Sequence, residues 1–600
     1  VTLVAAAFAA GRAQAQTADG AAVFRDHCVS CHNGAAGSRA PVQEQLRERS
    51  PEQIIDALTG GAMRYQGLSL SGGERRAVAE FLTGKTAGGS RPVDPNAGLC
   101  RNLPPRLVGA ARFRGPGAGP AWNGWGPTTA NTHFQPTKAA GLTAEQLPRL
   151  TLQWAFGFPE ATSAWSQPTV LGGRVFVGSQ SGVAYALDAR TGCIAWKYET
   201  EGGVRSSMSI GPQRGKPGAW TAYFSDQKGY AYAVDADTGR VLWKKLVDPH
   251  PLIRLTGSVA LHGNRLYVPT SSYEEAGKSP TYACCTFRGA VVAMDTATGD
   301  IVWRSYMVGE PVLMGTRADG GESLGPSGGA IWSAPTIDPK RRLLYVATGN
   351  TYSGTTQPMA EAVVALDLET GAVKWAQQVT PEDVFGCRNG EPNCGTAQGP
   401  DFDFGASPVL TRAPGGKDVL IAGQKSGVAY GLDPDAGGRI LWQYRAGRGG
   451  ALGGIEWGVA VDDQHAYLPV ADNNAPQPGG LHAVTLLTGE RVWSALPATT
   501  LLCGRPARGC SAAQSAAITV IPGAVFSGAF DGGLRAYSTA DGRVLWTLDT
   551  NREYLTTNGV RARGASLNGP AAVVADGFVF VSSGDYRART GNVLLAFAVQ

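Results

Sequence analysis

No stretch of this 600-residue chain is apolar for long enough to cross a bilayer. No run of Lys or Arg is long enough to grip nucleic acid. The 53 basic and 48 acidic residues leave a formal net charge of only +5, spread along the sequence. Methionine is scarce, with six in all, so a methionine ligand has few candidates. The start, VTLVAAAFAAGRAQAQ, is a short apolar run followed by Ala13-Gln14-Ala15. It reads as the remnant of a secretory signal peptide over 1–15, with neither an initiating Met nor a basic leading segment. The expectation is an exported, periplasmic protein in a compartment where disulfides persist.

What is present is a cluster and a repeat. The cluster is CVSCH, Cys28 to His32. C-x-x-C-H is the attachment pattern of c-type haem: two thiols for thioether bonds and an adjacent His for the iron. A second axial ligand is commonly Met. Met63 is the one Met close by, in a Gly-containing loop ahead of a segment with Ala77, Val78, Phe81 and Leu82 at helical spacing. Residues 18–88 therefore read as a small all-α class I cytochrome c domain holding Cys28, Cys31, His32 and Met63. Residues 89–120, rich in Pro, Gly and Arg, read as a linker.

The repeat begins past residue 150. An apolar strand, a TG or DG turn and a strand ending in Trp recur, as in YALDARTGCIAW (185–196), YAVDADTGRVLW (232–243) and VALDLETGAVKW (364–375). Four short strands per unit describe a propeller blade. Trp154 ends a strand with no partner before it, and NVLLAFAV (592–599) is a strand with no Trp strand after it. Each completes the other, which predicts an eight-bladed all-β propeller over 121–600, closed by its own termini. The eight tryptophans, Trp154, Trp196, Trp243, Trp303, Trp375, Trp442, Trp493 and Trp546, read as blade-to-blade docking residues. Eight cysteines remain outside the haem motif. Cys387/Cys394 and Cys503/Cys510 bracket short loops, Cys284 and Cys285 are adjacent, and Cys100 and Cys193 are left as a long-range pair. Spacing does not prove these connectivities.

A ring of Trp-docking repeats resembles the quinoprotein alcohol dehydrogenases, which use pyrroloquinoline quinone (PQQ) and Ca²⁺. The likeness covers about 120–600. The leading cytochrome, and stretches such as NGWGPTTANTHFQ, CCTFRGAVVAMD and SGGAIWSAPTID, look most like the cytochrome-type polyvinyl alcohol dehydrogenases. This resemblance implies a set of site residues. Trp332 in GGAIWSAP is the aromatic floor under PQQ, and Asn350 in YVATGNTYS is a Ca²⁺ ligand. Glu275 in VPTSSYEEAG is a second Ca²⁺ ligand, with Glu274 as the alternative; aligned through Arg288-Gly289 instead, the position falls near Cys284, but Ca²⁺ takes oxygen ligands. Asp403, between Phe402 and Phe404, is the base and a metal ligand, with Asp401 as a weaker alternative. Apolar flanks would raise its proton affinity and a neighbouring cation would oppose that. Lys425 in GQKSGVAYGLD contacts the quinone oxygens. Thr256 and Ser272 offer hydroxyls, Arg205 pairs with a carboxylate, and Trp457 and Asn558 occupy comparable positions in later blades.

Two departures stand out. Ala330 replaces a PQQ-bonding Thr, and Met208-Ser209 stands where methanol-type relatives carry a vicinal cystine. Gly405 stands where lanthanide-using relatives carry Asp, which favours Ca²⁺. The implied activity is oxidation of a secondary alcohol, in a polymeric substrate such as polyvinyl alcohol, with electrons leaving through the chain's own haem to an external cytochrome c. Two alternatives remain open: a dehydrogenase of small alcohols or sugars, and a non-enzymatic envelope scaffold. A scaffold has no need of CVSCH, Trp332, Asn350 and Asp403 together.

Overall fold

The computed structural model describes residues 18–599 apart from 35–39, 60–62, 68–69, 71, 86–95, 104–112, 114, 116, 118, 120, 276–281, 319, 355, 388–390, 395–397, 474, 505–508 and 586–587. The proposed signal remnant lies outside the described residues. The chain divides into two compact units, Val1–Arg91 and Pro92–Gln600. Among the described residues no helix is long and apolar enough to cross a membrane.

The first unit is helical: α1 (Gly20–His27), α2 (Gln43–Leu46), α3 (Pro51–Thr59), α4 (Arg64–Gly67) and α5 (Gly72–Thr83). Asp19 caps α1 by accepting a hydrogen bond from Ala21 N at 3.0 Å. Val23, Phe24, Ile54, Leu58, Leu70, Val78, Ala79 and Leu82 form its core. The apolar face of α5 is rotated from the one expected. Val78 and Leu82 are buried, but Phe81 is 41 % exposed. The cause is a close helix crossing: a Cβ at Gly20 would lie 2.1 Å from Ala77 O and 2.8 Å from Phe81 Cβ. α1 thus lies backbone-on-backbone against that side of α5 and leaves the Phe81 ring outside.

The second unit carries eight four-stranded antiparallel sheets, one per blade. Blade 1 runs Thr169–Leu171, Arg174–Gly178, Val183–Asp188 and Ile194–Glu199, and blades 2–7 repeat it in chain order. Blade 8 combines Val573–Ala575, Phe578–Ser583 and Val593–Val599 with Leu150–Gly157 from the other end of the unit. Trp154 stands opposite Ala596 across that seam, as the two orphan strands implied. The Asp and Gly that recur in the outer turns of blades 1–5 have separate tasks. Asp188 Oδ1 accepts from Arg190 N, Thr191 N and Thr191 Oγ1. Gly192, at φ 70°, lies under Trp154, whose ring a Cβ there would meet at 2.6 Å. Trp154 Nε1 then donates to Ala189 O at 3.1 Å in the next blade. Trp196, Trp243, Trp303, Trp442 and Trp493 repeat that bond. Six docking contacts thus combine an indole on a left-handed glycine with a satisfied N–H; Trp375 packs on Gly438 in the same way, but its Nε1 is buried without a partner.

The inner strands present open edges to the bore. Segment 122–135 covers them. Trp122 exchanges bonds with Val170 in blade 1, and Asn123 does so with Ile210 in blade 2. Thr129, Ala130, Thr132 and His133 carbonyls accept from Ile337, Leu410, Val461 and Val520 in blades 4–7. Gln135 donates to Val574 O in blade 8. His133 is buried, its Nδ1 bonded to Ile518 O. Burial pushes its pKa down to about 4. Four disulfides, Cys100–Cys193, Cys284–Cys285, Cys387–Cys394 and Cys503–Cys510, account for the eight cysteines outside CVSCH.

Candidate functional site

In the helical unit neither Cys28 nor Cys31 is in a disulfide. Burial, then the neighbouring Cys31, pushes the Cys28 thiol up to about 11. His32 is buried, and its Nδ1 lies 2.6 Å from Pro41 O. A carbonyl only accepts, so Nδ1 carries the proton and Nε2 is left for a metal. Met63 packs against the same apolar core as Cys28. Two thiols, an oriented imidazole and a thioether around one apolar core fit a c-type haem.

In the propeller, blade register identifies one equivalent position eight times: four residues before the first paired residue of each inner strand. Those first residues are Thr169, Ser209, Ala260, Thr336, Val409, Ala460, Thr519 and Val573. The positions are therefore Trp165, Arg205, Thr256, Trp332, Gly405, Glu456, Ser515 and Gly569. Six of them, all but Glu456 and Ser515, line a single axial cleft, joined by Trp125 and Trp457. Arg205 lies between two indoles, 4.7 Å from Trp165 and 4.4 Å from Trp457. Trp457 stands edge-on to Trp332, centroids 5.1 Å apart. Trp332 reaches over Gly405, where a Cβ would lie 1.9 Å from its ring. Gly405 is thus required by the Trp332 ring whatever the metal, so its identity says less about Ca²⁺ than the sequence suggested.

Beside this cleft the connections of blades 3–5 gather an acidic cluster around one cation. Lys425 Nζ sits 2.7 Å from Asp401 Oδ1 and 3.1 Å from Asp403 Oδ2. It also lies 5.8 Å from the Trp332 ring centroid. Asp403 Oδ1 accepts from Asn350 N at 2.9 Å. Asn350 Nδ2 donates to Thr351 O and Phe385 O, yet its Oδ1 is buried without a hydrogen-bond partner. A buried, unsatisfied amide oxygen beside carboxylates is the signature of a place for a cation. Burial opposes the charge on Lys425, but Asp403, Asp401 and Glu275 outweigh it and hold the amine protonated. Burial and then the Asp403 charge push Asp401 up to about 9 against the pull of Lys425. Glu361, wholly buried behind the cluster, is raised well above the usual carboxylate range by burial, then by Asp403 and Asp383.

The two adjacent acids part company. Glu275 acts electrostatically on Asp401, Lys425 and Tyr352. Glu274 is fully buried, and its carboxylate accepts from Tyr282 Oη, Thr286 N, Phe287 N and Ser327 Oγ. Burial would raise its pKa, but hydrogen bonds led by His250 and Ser327 outweigh that and hold it low.

Two expected residues are not brought to the cleft. Asn558 spends both ends of its amide on Gly157 N and O, on the seam strand of blade 8. The inner-strand register gives Gly569 as the equivalent position in that blade. Ser272 donates to Leu252 O and accepts from Glu274 N. Its neighbour Ser271 is the hydroxyl 2.7 Å from Thr256 Oγ1, because successive strand residues face opposite sides. Sequence reasoning missed Trp165 and Trp125. Trp165 was findable, since it holds the blade position of Trp332. Trp125 was not, since its place depends on how 122–135 threads the bore.

Residues 122–445 match the family model described as glucose/ethanol/alcohol dehydrogenase, beta-propeller domain. Residues 360–599 match one for the outer membrane protein assembly factor BamB. Residues 15–82 match one for cytochrome c oxidase, cbb3-type, subunit III. The chain is 39% identical to a polyvinylalcohol dehydrogenase of a Pseudomonas species, across 98% of this chain and 95% of that one. It is 38% identical to a polyvinylalcohol dehydrogenase of Sphingopyxis sp. strain 113P3, across 97% and 93%. Among solved structures, the quinohemoprotein alcohol dehydrogenase of Comamonas testosteroni shares the fold at a TM-score of 0.58 and 19% identity, over 80% of each chain. Fold and site define an oxidoreductase that joins a quinone-type propeller to a c-type cytochrome. The chain belongs to the PQQ-dependent quinohaemoprotein alcohol dehydrogenase family, among the polyvinyl alcohol dehydrogenases.

Proposed function

We propose that this enzyme oxidises secondary hydroxyl groups of polyvinyl alcohol to ketones in the periplasm and delivers the electrons to an external cytochrome c. The observation that carries the reading is Asp403. It is held by Asn350 N on one oxygen and by Lys425 on the other, next to the orphaned oxygen of Asn350, and Lys425 in turn lies 5.8 Å from the Trp332 ring centroid. When bound, PQQ supplies a two-electron acceptor, Ca²⁺ a Lewis acid and haem a one-electron exit.

The chain's own residues divide the remaining work. Trp332 gives a flat floor, and Arg205 with Thr256 offers a cation and a hydroxyl for carboxylates. Asn350 Oδ1, Glu275 and Asp403 supply oxygen ligands for the cation. Among the described residues no three His, Cys, Asp or Glu side chains form a metal site unaided, which fits a cation sharing an amide oxygen and the cofactor. Asp403 accepts the proton of the substrate hydroxyl. Lys425, kept protonated, steadies the negative charge that develops opposite Asp403. In the other unit His32 and Met63 would hold the haem iron, and Cys28 and Cys31 would tether the haem covalently.

An optical spectrum of the PQQ- and Ca²⁺-loaded protein, before and after adding polyvinyl alcohol, tests the assignment. Appearance of the reduced c-type haem band, abolished in Asp403→Asn, is expected. Reduction by a small secondary alcohol but not by the polymer would keep the reaction and discard the substrate. No reduction by any alcohol with PQQ bound would overturn the roles given to the site residues.

A further inference from the structure

We infer that Glu274 is the positioning residue of the cation site: its buried carboxylate ties the turn bearing Glu275 to the strand behind Asn350, and it is not itself a ligand. The inference rests on Glu275 and Asn350 holding the cation.

Glu274 Oε1 accepts from Tyr282 Oη at 2.7 Å and from Thr286 N at 2.6 Å. Oε2 accepts from Phe287 N at 2.9 Å and from Ser327 Oγ. His250 Nε2 also lies 3.6 Å from Oε1, so both oxygens face donors along the lone-pair directions a carboxylate has. The side chain has no exposed surface, so neither oxygen has a direction left for a metal ion.

The donors come from two separate pieces of chain. Tyr282, Thr286 and Phe287 belong to the connection inside blade 3. Ser327 belongs to the crossing from blade 3 to blade 4. That crossing pairs directly with the strand after Asn350: Ser327 stands opposite Ser353, and Gly328 opposite Thr351. Gly329 N then donates to Asn350 O at 2.9 Å. A continuous path runs from Glu275, through the adjacent Glu274, to Ser327, Gly328 and Asn350. Backbone bonds already join the crossing to the far side of that connection, Gly328 N to Phe287 O and Gly289 N to Gly328 O; the carboxylate adds the tie from the turn bearing Glu275. With it the two candidate ligands share one frame.

The four donors also make the charge specific. Glutamine has the same shape but turns an NH₂ toward groups that can only donate or that already do so. Each backbone N–H left unpaired in a buried setting costs about 1–3 kcal/mol. A space-filling role would tolerate Glu274→Gln; an anchoring role would not.

The test is calorimetric titration of Ca²⁺ into PQQ-loaded, metal-depleted protein, with the melting temperature of the metal-free form measured alongside. Glu275→Gln should remove most of the affinity. Glu274→Gln should weaken it by roughly 10- to 100-fold, the usual range for a residue that orients a ligand. Ser327→Ala, which removes one donor and leaves the backbone bonds, should weaken it by roughly tenfold, the low end of that range, with an unchanged metal-free melting temperature. Wild-type affinity in Glu274→Gln, with Glu275→Gln impaired, would overturn the inference alone. Wild-type affinity in Glu275→Gln would overturn the assignment of Glu275 beneath it. Should Glu274→Gln fail to fold, Ser327→Ala decides, and unchanged affinity there counts against the anchor.

Discussion

The helical unit and the propeller hold their cofactor residues in opposite ways. In the first, two thiols and the imidazole lie within five consecutive residues, and one carbonyl, Pro41 O, sets the imidazole's direction. In the second, the candidate residues run from Arg205 to Trp457, and no two of the central four, Trp332, Asn350, Asp403 and Lys425, lie in the same turn of chain. A covalently tethered cofactor needs only local geometry. A cofactor held by stacking and charge needs walls from several directions, and a propeller supplies them by placing equivalent positions of successive blades around one axis. The first site is thus legible as a word, and the second only as a pattern repeated across blades.

Substitutions can break that contrast. The largest expected effect is Asp403→Asn, which removes the base and should lower kcat by about 10³-fold with any electron acceptor, measured by dye-linked assay. Cys28→Ser should abolish the c-type haem spectrum and cytochrome c reduction while dye-linked alcohol oxidation survives, which would show the two sites to be separable. Trp332→Ala should weaken PQQ binding by at least about tenfold through loss of stacking, read by fluorescence titration. Gly405→Ala, although only one methyl larger, should mimic part of that loss because its Cβ occupies the place of the Trp332 ring. Equal PQQ affinity in Gly405→Ala and wild type would refute the crowding argument.

A smaller effect concerns the bore. His133 in the folded protein titrates near 4, below its usual 6.5. The unfolded chain therefore binds the proton first on acidification. Stability from this group is complete above about pH 6.5 and is lost as pH falls toward 4, by at most about 3 kcal/mol. His133→Phe should flatten that acid limb in melting curves of the propeller, and an unchanged slope would remove His133 from the account.

Much of the fold was readable because its physics is local and repeated. A short polar residue, Asp in five blades, with Gly in the outer turn and Trp on the following strand report the blade, and two orphan strands reported the closure at Trp154 and Ala596. CVSCH and Met63 were readable for the same reason. The propeller site was partly readable: Trp332, Asn350, Asp403 and Lys425 converge, as the family likeness implied. Asn558 and Ser272 failed because strand register, not distance along the chain, decides which side chain faces the bore. Rotation of α5 was equally hidden, since it follows from Gly20 meeting Ala77 in another helix.

Sequence alone determined the blade repeat, the haem motif and the supply of carboxylates, because each is written within about a dozen residues. Tertiary structure decided that Arg205 lies between Trp165 and Trp457, that Asn350 keeps one unpaired oxygen, and that Glu274 is consumed as an anchor while Glu275 faces Lys425. Those outcomes depend on contacts between blades, where burial and hydrogen-bond saturation, not residue type, assign each side chain its work.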